Sequence, residues 1–271
     1  YGLGSLNDNL PQFVTLGSGP GICCGGPGAH DGSYLGPAHS AVPMNASPGE
    51  PFAYGQPGVK QSPLERRGKR DLLRELNQLA GVEYPEDNEM RARIRAYELA
   101  FRMQVAVPEL ADIDSEPMHI RESYGAESGK VSFANNCLLA RRLSESGVRF
   151  VQLYEKGWDS HGDISTQHPE RCRAVDRPIA ALISDLKQRG LLDETLVLCG
   201  GEFGRTPTVE LPRPLLNSGK QLGRDHNHHG FTVWLAGGGG KGGMAYGNTD
   251  PFGYQAVENK VHVHAVSYTH L

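Results

Sequence analysis

Four stretches of the chain place apolar residues at the three- and four-residue spacing of an amphipathic helix. The first begins at Ser62, where Ser62, Pro63 and Glu65 form a capping box, and Gly81 is expected to end that helix. Pro108 is expected to end the second helix. The predicted helices span about 62–81, 85–108, 130–146 and 167–188.

Shorter apolar runs lie before and between these helices and predict β-strands. The run from Thr195 to Cys199 is almost continuously apolar, as in a strand that is buried on both faces. Because helices and strands alternate from residue 130 onward, the pattern predicts an α/β fold with a mostly parallel sheet covered by helices. The predicted strands span 13–16, 148–154, 195–199 and 231–236.

Glycine and proline make up 21 of the first 60 residues. Both residue types interrupt regular structure, so residues 17–60 are predicted to form one long irregular loop. The 271 residues suffice for one large domain or two small ones. We expect a single domain over residues 1–271 that includes this loop.

Charge and composition exclude several classes of protein. The net charge of −4 gives no basic excess for nucleic-acid binding, and no apolar run approaches the 18 to 20 residues of a membrane span. Five scattered cysteines form neither a disulfide framework nor a zinc ribbon pattern. The unusual feature is histidine: eight of the eleven lie at or after His161.

Polar residues follow the predicted strands, and the carboxyl ends of strands are where α/β proteins place functional groups. Asp159 and His161 offer one cation a carboxylate and an imidazole, although a polar turn with an exposed histidine explains them equally well. Glu202 could bind a metal or act as a base, and the fork of Arg205 suits a tetrahedral oxyanion, although the two could also form a surface pair.

A histidine cluster precedes the strand predicted at 231–236. His226 and His228 could divide metal-binding and acid–base roles, whereas a solvated polar loop is the alternative. The glycine run 237–243 lacks the spacing of a phosphate-binding loop and is interpreted as a turn. Taken together, these loops predict a hydrolase that uses one or two metal ions on an anionic ester. Further candidates are His229, His262 and His264.

The loops that carry Asp159, Glu202 and His226, taken in combination, resemble the bacterial domain-of-unknown-function family 1501, a sulfatase-like branch of the alkaline phosphatase superfamily. The resemblance covers most of the chain outside about residues 17–56. It is carried by residues 1–5, 136–143, 157–162, 200–206 and 223–226.

The resemblance implies a three-layer α/β/α fold with divalent metal ions (zinc, calcium or manganese) at the carboxyl edge of a mostly parallel sheet. Asp159, His161 and His226 match the ligands of one metal site. Glu202 stands where relatives often carry an aspartate ligand of a second metal, but Phe203 follows it where they often have His or Asn. Arg205 and His228 are the candidate catalytic residues, an inference from the residues themselves rather than from the resemblance.

The resemblance also implies an exported, periplasmic hydrolase of small-molecule or glycan sulfate or phosphate esters. It places the nucleophile on a segment before Tyr1, so we expect this chain to be incomplete at both ends and inactive alone, with an atypical tail at 265–271. The alternative is a non-catalytic carbohydrate- or surface-binding protein on a degenerate phosphatase-like fold, which Phe203 and the glycine- and proline-rich loop suggest.

Overall fold

The computed structural model describes residues 7–17, 32, 35–46, 51–52, 62–83, 87–211 and 222–262. The chain forms two compact units. The first comprises Tyr1–Glu155 and Arg177–Leu182, and the second comprises Lys156–Asp176 and Ile183–Leu271. No helix among the described residues is both long and apolar enough to cross a membrane.

A three-stranded parallel sheet lies in the first unit. Strand β1 (Phe13–Leu16) is central, with β2 (Val42–Met44) on one side and β3 (Phe150–Leu153) on the other. Val14 and Leu16 are fully buried because both edges of β1 are paired and its side chains face the core. The predicted strand at 13–16 and a parallel sheet are therefore confirmed.

Strand β2 corrects the prediction of one irregular loop over residues 17–60. Its residues Val42–Met44 pair in register with Val14–Leu16 of β1. Pro43 lies within β2, and proline is tolerated there because β2 is an edge strand that needs no hydrogen bond on its outer side. A three-residue strand that contains proline gives no periodic signal. Much of the remaining glycine- and proline-rich stretch lies outside the described residues.

Two long helices follow this stretch. Helix α1 (Pro63–Glu83) starts at the predicted capping box: the Ser62 backbone N–H donates to Glu65 Oε2 at 2.8 Å, and the Glu65 N–H donates to Ser62 Oγ at 3.2 Å. Its leucine stripe is exposed: Leu72, Leu73, Leu76 and Leu79 are 57%, 57%, 52% and 68% exposed.

Helix α2 (Asn88–Ala111) corrects the predicted end at Pro108, because that proline lies inside the helix. The loss of one backbone hydrogen bond in the last turn does not prevent the helix from continuing for three residues. At the other end, Asp87 caps α2 by accepting a hydrogen bond from the Met90 N–H at 2.9 Å.

The core of the first unit is built around helix α4 (Phe133–Glu145), which follows the short helix α3 (Met118–Tyr124). Ser132 caps α4, and Leu138, Leu139 and Leu143 are fully buried. The prediction of a helix over 130–146 is confirmed to within three residues at its start. The α3 helix is too short to give a periodic pattern and was not predicted.

Buried polar groups hold the loops around α4. Asn135 is fully buried, accepts a hydrogen bond from the Glu127 N–H, and donates to the carbonyls of Glu127 and Lys130. It therefore closes the loop between α3 and α4 with both ends of its amide.

A second polar cluster joins α2 to α4. The Glu116 carboxylate lies 2.7 Å from Arg141 and 2.5 Å from Arg142, and Arg142 also donates to the carbonyls of Glu109 and Leu110 near the end of α2. Burial alone would raise the pKa of Glu116, but the two guanidinium groups more than offset this and lower it.

The second unit contains short antiparallel strand pairs. Helix α5 (Ile164–Gln188), of which Arg177–Leu182 belong to the first unit, precedes β4 (Leu196–Cys199). Strand β4 pairs with β7 (Trp234–Gly237) in antiparallel register, so the prediction that these two strands belong to a mostly parallel sheet is wrong. The prediction that β4 is buried on both faces is also wrong: Leu196 is 42% exposed and Leu198 is 51% exposed. The strand predicted at 231–236 begins only at Trp234. The other pairs are β5 (Gly204–Arg205) with β6 (His226–Asn227), and β8 (Asn248–Thr249) with β9 (Ala256–Glu258).

Candidate metal centre

The Trp158–His161 segment forms two successive tight turns. The Ser160 N–H donates to the Trp158 carbonyl at 3.0 Å, and the His161 N–H donates to the Asp159 carbonyl at 3.1 Å. The intervening Ser160 is buried, whereas Asp159 is exposed and His161 is partly exposed. The turns therefore present a carboxylate and an imidazole to solvent from adjacent points of one short loop.

Gly223 brings a second segment against this loop. Leu222 forms an isolated β-bridge with Gly162, and the Arg224 N–H donates to the Ser160 carbonyl at 3.0 Å. A Cβ atom added to Gly223 would lie 2.0 Å from the carbonyl carbon and oxygen of His161, so no larger residue fits without backbone movement.

Strands β5 and β6 complete the arrangement. They pair Arg205 with His226 in antiparallel register, and His226 follows Gly223 by three residues in the sequence. The approach of the Gly223 segment to the Trp158–His161 turns therefore determines where the His226 imidazole lies. In this way the fold brings together side chains that are 65 or more residues apart in the sequence.

The side chains of Asp159, His161 and His226 converge on one point. Each histidine Nε2 lies 2.9 Å from Asp159 Oδ1, and the two Nε2 atoms are 3.1 Å apart. Nitrogen and oxygen donors at such distances form the kind of set that binds zinc or manganese. The resemblance implied these three ligands, and the structure places all three in one group that could hold a metal ion.

Glu210 lies on the other side of His161. Its Oε2 is 2.7 Å from His161 Nδ1, and its side chain is only 4% exposed. A carboxylate accepts but does not donate, so a neutral His161 that donates its Nδ1 proton to Glu210 directs its Nε2 lone pair towards Asp159 and His226. If both imidazoles are neutral and the His161 proton is on Nδ1, only the ring proton of His226 is left for the three contacts among Asp159 Oδ1, His161 Nε2 and His226 Nε2. A cation suits these crowded lone pairs, so the donor set fits a metal ion.

Asp225 belongs to a second group of ligand atoms, with His161 and Glu210. Its Oδ1 accepts a hydrogen bond from the His226 N–H at 2.7 Å, and its own N–H donates to Thr206 Oγ1. Asp225 therefore stabilises the backbone turn that leads into His226.

Arg205 reaches the same carboxylate as the two histidines. Its Nη2 atom lies 2.6 Å from Asp159 Oδ1. Partial burial would raise the pKa of Asp159, but hydrogen bonds from His226 and Arg205, with the charges of Arg205 and His161, lower it to about 2. Asp159 is therefore an anion throughout the ordinary pH range, with the Arg205 guanidinium group beside it. Contact of Arg205 with an oxyanion stays a prediction.

Two predicted site residues are not part of this group. Glu202 is exposed in the turn after β4 and belongs to neither ligand group found among the described residues. Its neighbour Phe203 instead packs against His226, with ring centroids 4.6 Å apart. His228 is exposed and packs against His229 at 3.9 Å between ring centroids.

The remaining histidine candidates add no ligand to the centre. His229 and His262 lie outside both ligand groups found within the described part of the chain. His264 lies outside the described residues. Glu210 was missed by the sequence analysis because no motif surrounds it; its backbone pairing with Gly223 and its side-chain contact with His161, both seen in the structure, connect it to the centre.

The fold and the site define a class: a mixed α/β protein with a group of Asp and His side chains that could hold a metal ion. The family model described as "Protein of unknown function (DUF1501)" matches residues 1–271, and the chain belongs to that family. No curated protein and no solved structure matches the chain.

Proposed function

We propose that this protein is a metal-dependent hydrolase of sulfate or phosphate esters. The proposal rests on one observation: Asp159 Oδ1, His161 Nε2 and His226 Nε2 lie within about 3 Å of one another. The centre is open to solvent, since Asp159 and His226 are exposed, so a substrate has access to it.

The donor set also bears on which metal is bound. Two imidazole nitrogens and one carboxylate oxygen suit zinc or manganese better than calcium, which prefers a shell made of oxygen atoms. When bound, such an ion polarises an ester oxygen and stabilises developing negative charge.

Arg205 supplies the second feature of the proposal. Its guanidinium group, 2.6 Å from Asp159, lies at the rim of the centre and is 21% exposed. A planar guanidinium group binds tetrahedral oxyanions through paired hydrogen bonds. Arg205 would therefore orient the sulfate or phosphate group against the centre.

The finer fold and the location of the protein belong to the same proposal. We propose a three-layer α/β/α arrangement like that of alkaline phosphatase relatives, and export to the periplasm. The parallel sheet β2–β1–β3 with its helices supports the first. The resemblance supports the second, and cell fractionation with an antibody to this chain tests it.

The first experiment measures metal binding and does not depend on a nucleophile. The 271-residue chain is stripped of metal and titrated with Zn²⁺ and Mn²⁺ in competition with a chromogenic chelator. We expect one bound equivalent, and more than a 100-fold loss of affinity in His226→Ala. The matched control is His119→Ala, an exposed histidine of α3. Equal affinity in the wild type and His226→Ala would refute the ligand assignment.

The second experiment tests the reaction. The metal-loaded, full-length gene product is assayed with an aryl sulfate and an aryl phosphate that carry the same leaving group. Hydrolysis of either ester that disappears in His226→Ala supports the proposal and identifies the substrate. Metal binding by the full-length gene product without hydrolysis of either ester would instead favour the non-catalytic alternative.

A further inference from the structure

Glu210 is a buried carboxylate with a defined partner. Its side chain is 4% exposed, and its Oε2 lies 2.7 Å from His161 Nδ1. Its backbone is fixed as well, because the Glu210 N–H donates to the Gly223 carbonyl at 2.9 Å. The carboxylate is therefore held in place by the same segment that presses against the His161 loop.

The two nitrogens of His161 face different partners. Nδ1 contacts Glu210, whereas Nε2 lies 2.9 Å from Asp159 Oδ1 and 3.1 Å from His226 Nε2. These nitrogens lie on different edges of the ring. The Glu210 carboxylate, which contacts Nδ1, is therefore not a ligand of an ion bound at Nε2. In this arrangement Glu210 contacts the centre through the His161 imidazole.

We propose that Glu210 is a positioning residue for the metal centre: it keeps the His161 proton on Nδ1 and turns the Nε2 lone pair towards the ion. This inference rests on the proposed function, since it assumes that His161 binds a metal. Carboxylates that accept a hydrogen bond from a metal-binding histidine fix its tautomer and strengthen it as a ligand, and their loss typically reduces metal affinity 10- to 100-fold.

Two variants of Glu210 separate positioning from general support of the fold. Glu210→Gln keeps an oxygen that accepts the Nδ1 proton but removes the charge, whereas Glu210→Ala removes the acceptor. We expect Zn²⁺ affinity to fall about 10- to 100-fold in Glu210→Ala and by a smaller factor in Glu210→Gln. Glu194→Gln, an exposed carboxylate of the same unit, is the matched control and should bind like the wild type.

A second readout needs no bound metal. Nitrogen-15 NMR of histidine-labelled protein reports which ring nitrogen of His161 carries the proton, and the signal is assigned by its absence in His161→Gln. We expect an Nδ1-protonated ring in the wild type and in Glu210→Gln, and a mixture of tautomers in Glu210→Ala. Circular dichroism and thermal unfolding verify that each variant is folded, and Glu210→Gln keeps the test decisive if Glu210→Ala does not fold.

The outcomes distinguish this inference from the proposed function. If Glu210→Ala and Glu210→Gln bind Zn²⁺ as the wild type does while Asp159→Ala and His226→Ala bind it more than 100-fold more weakly, the centre is real and Glu210 has no positioning role. If the Asp159 and His226 variants also bind like the wild type, the metal centre itself is refuted. An unchanged His161 tautomer in Glu210→Ala would likewise overturn the role of Glu210.

Discussion

Replacement of Gly223 by alanine is the most direct test of how the fold builds the centre. The added Cβ would lie 2.0 Å from the carbonyl carbon and oxygen of His161 and 2.6 Å from the Gly162 nitrogen. All three are backbone atoms, so no side chain can rotate away to relieve the contact. The two segments that carry His161 and His226 must therefore separate.

The size of the separation follows from the contact distances. Ordinary contact of a Cβ atom begins at 3.4 Å, so the difference from 2.0 Å requires about 1.4 Å of backbone movement. Metal–ligand distances tolerate about 0.2 Å of error, and a 1 Å misplacement of active groups costs on the order of 100-fold. We therefore expect Gly223→Ala to lose about 100-fold or more in Zn²⁺ affinity, and about 1–3 kcal/mol in unfolding free energy from overpacking.

The assay compares chelator competition with thermal unfolding for the same samples. Gly242→Ala is the matched control, because nothing lies within 4 Å of its added Cβ and its backbone needs no left-handed conformation. The control should bind as the wild type does and should unfold within about 0.5 kcal/mol of it. A Gly223→Ala protein that is folded and keeps wild-type Zn²⁺ affinity would refute the reasoning, because the two segments would then not determine the geometry of the centre.

Three further substitutions test other parts of the structure. Glu116→Ala removes the carboxylate that Arg141 and Arg142 share, while Arg141 keeps its contact with Glu145, and should cost about 1–3 kcal/mol by chemical denaturation. Because the Glu116 pKa is lowered, the wild-type advantage should be complete above the ordinary carboxylate pKa and should shrink as the pH falls through the lowered value; an advantage independent of pH would contradict this. Asn135→Ala leaves buried backbone groups of the loop before α4 unpaired and should lower stability by about 2 kcal/mol or more, whereas an unchanged denaturation midpoint would contradict its role. Arg205→Leu should reduce ester turnover about 100-fold without weakening Zn²⁺ binding, and a parallel loss of Zn²⁺ would show that Arg205 supports the centre rather than the substrate.

Local signals in the sequence were sufficient for several elements. The capping box at Ser62 and the strand at 13–16 depend on residues close together in the chain, and both are confirmed. The predicted helix end at Pro108 was wrong because proline removes only one backbone hydrogen bond. A long helix, whose hydrogen bonds form cooperatively, tolerates that loss near its end. The edge strand β2 and the helix α3 are too short to produce a period.

The sequence likewise predicted some residues of the candidate site and missed others. Asp159, His161 and His226 were identified because their residue types and flanking glycines resemble a known family, and the structure brings the three together. Glu210 carries no such signal: its contact with His161 spans 49 residues and exists only because Gly223 joins the two segments. Glu202 follows a predicted strand, but its own turn leaves it outside the centre among the described residues.

The order of strands in the first unit has a consequence for synthesis on the ribosome. The central strand β1 is made before its partner strand β3, and 133 residues separate Leu16 from Phe150. At about 5–20 residues per second, β1 waits roughly 7–27 s with one edge unpaired before β3 emerges. During that interval the unpaired backbone edge of the Val-Thr-Leu segment can pair with strands of other nascent chains, which leads to aggregation. Expression at a lower temperature, or with a chaperone that binds extended segments, should therefore raise the yield of folded protein.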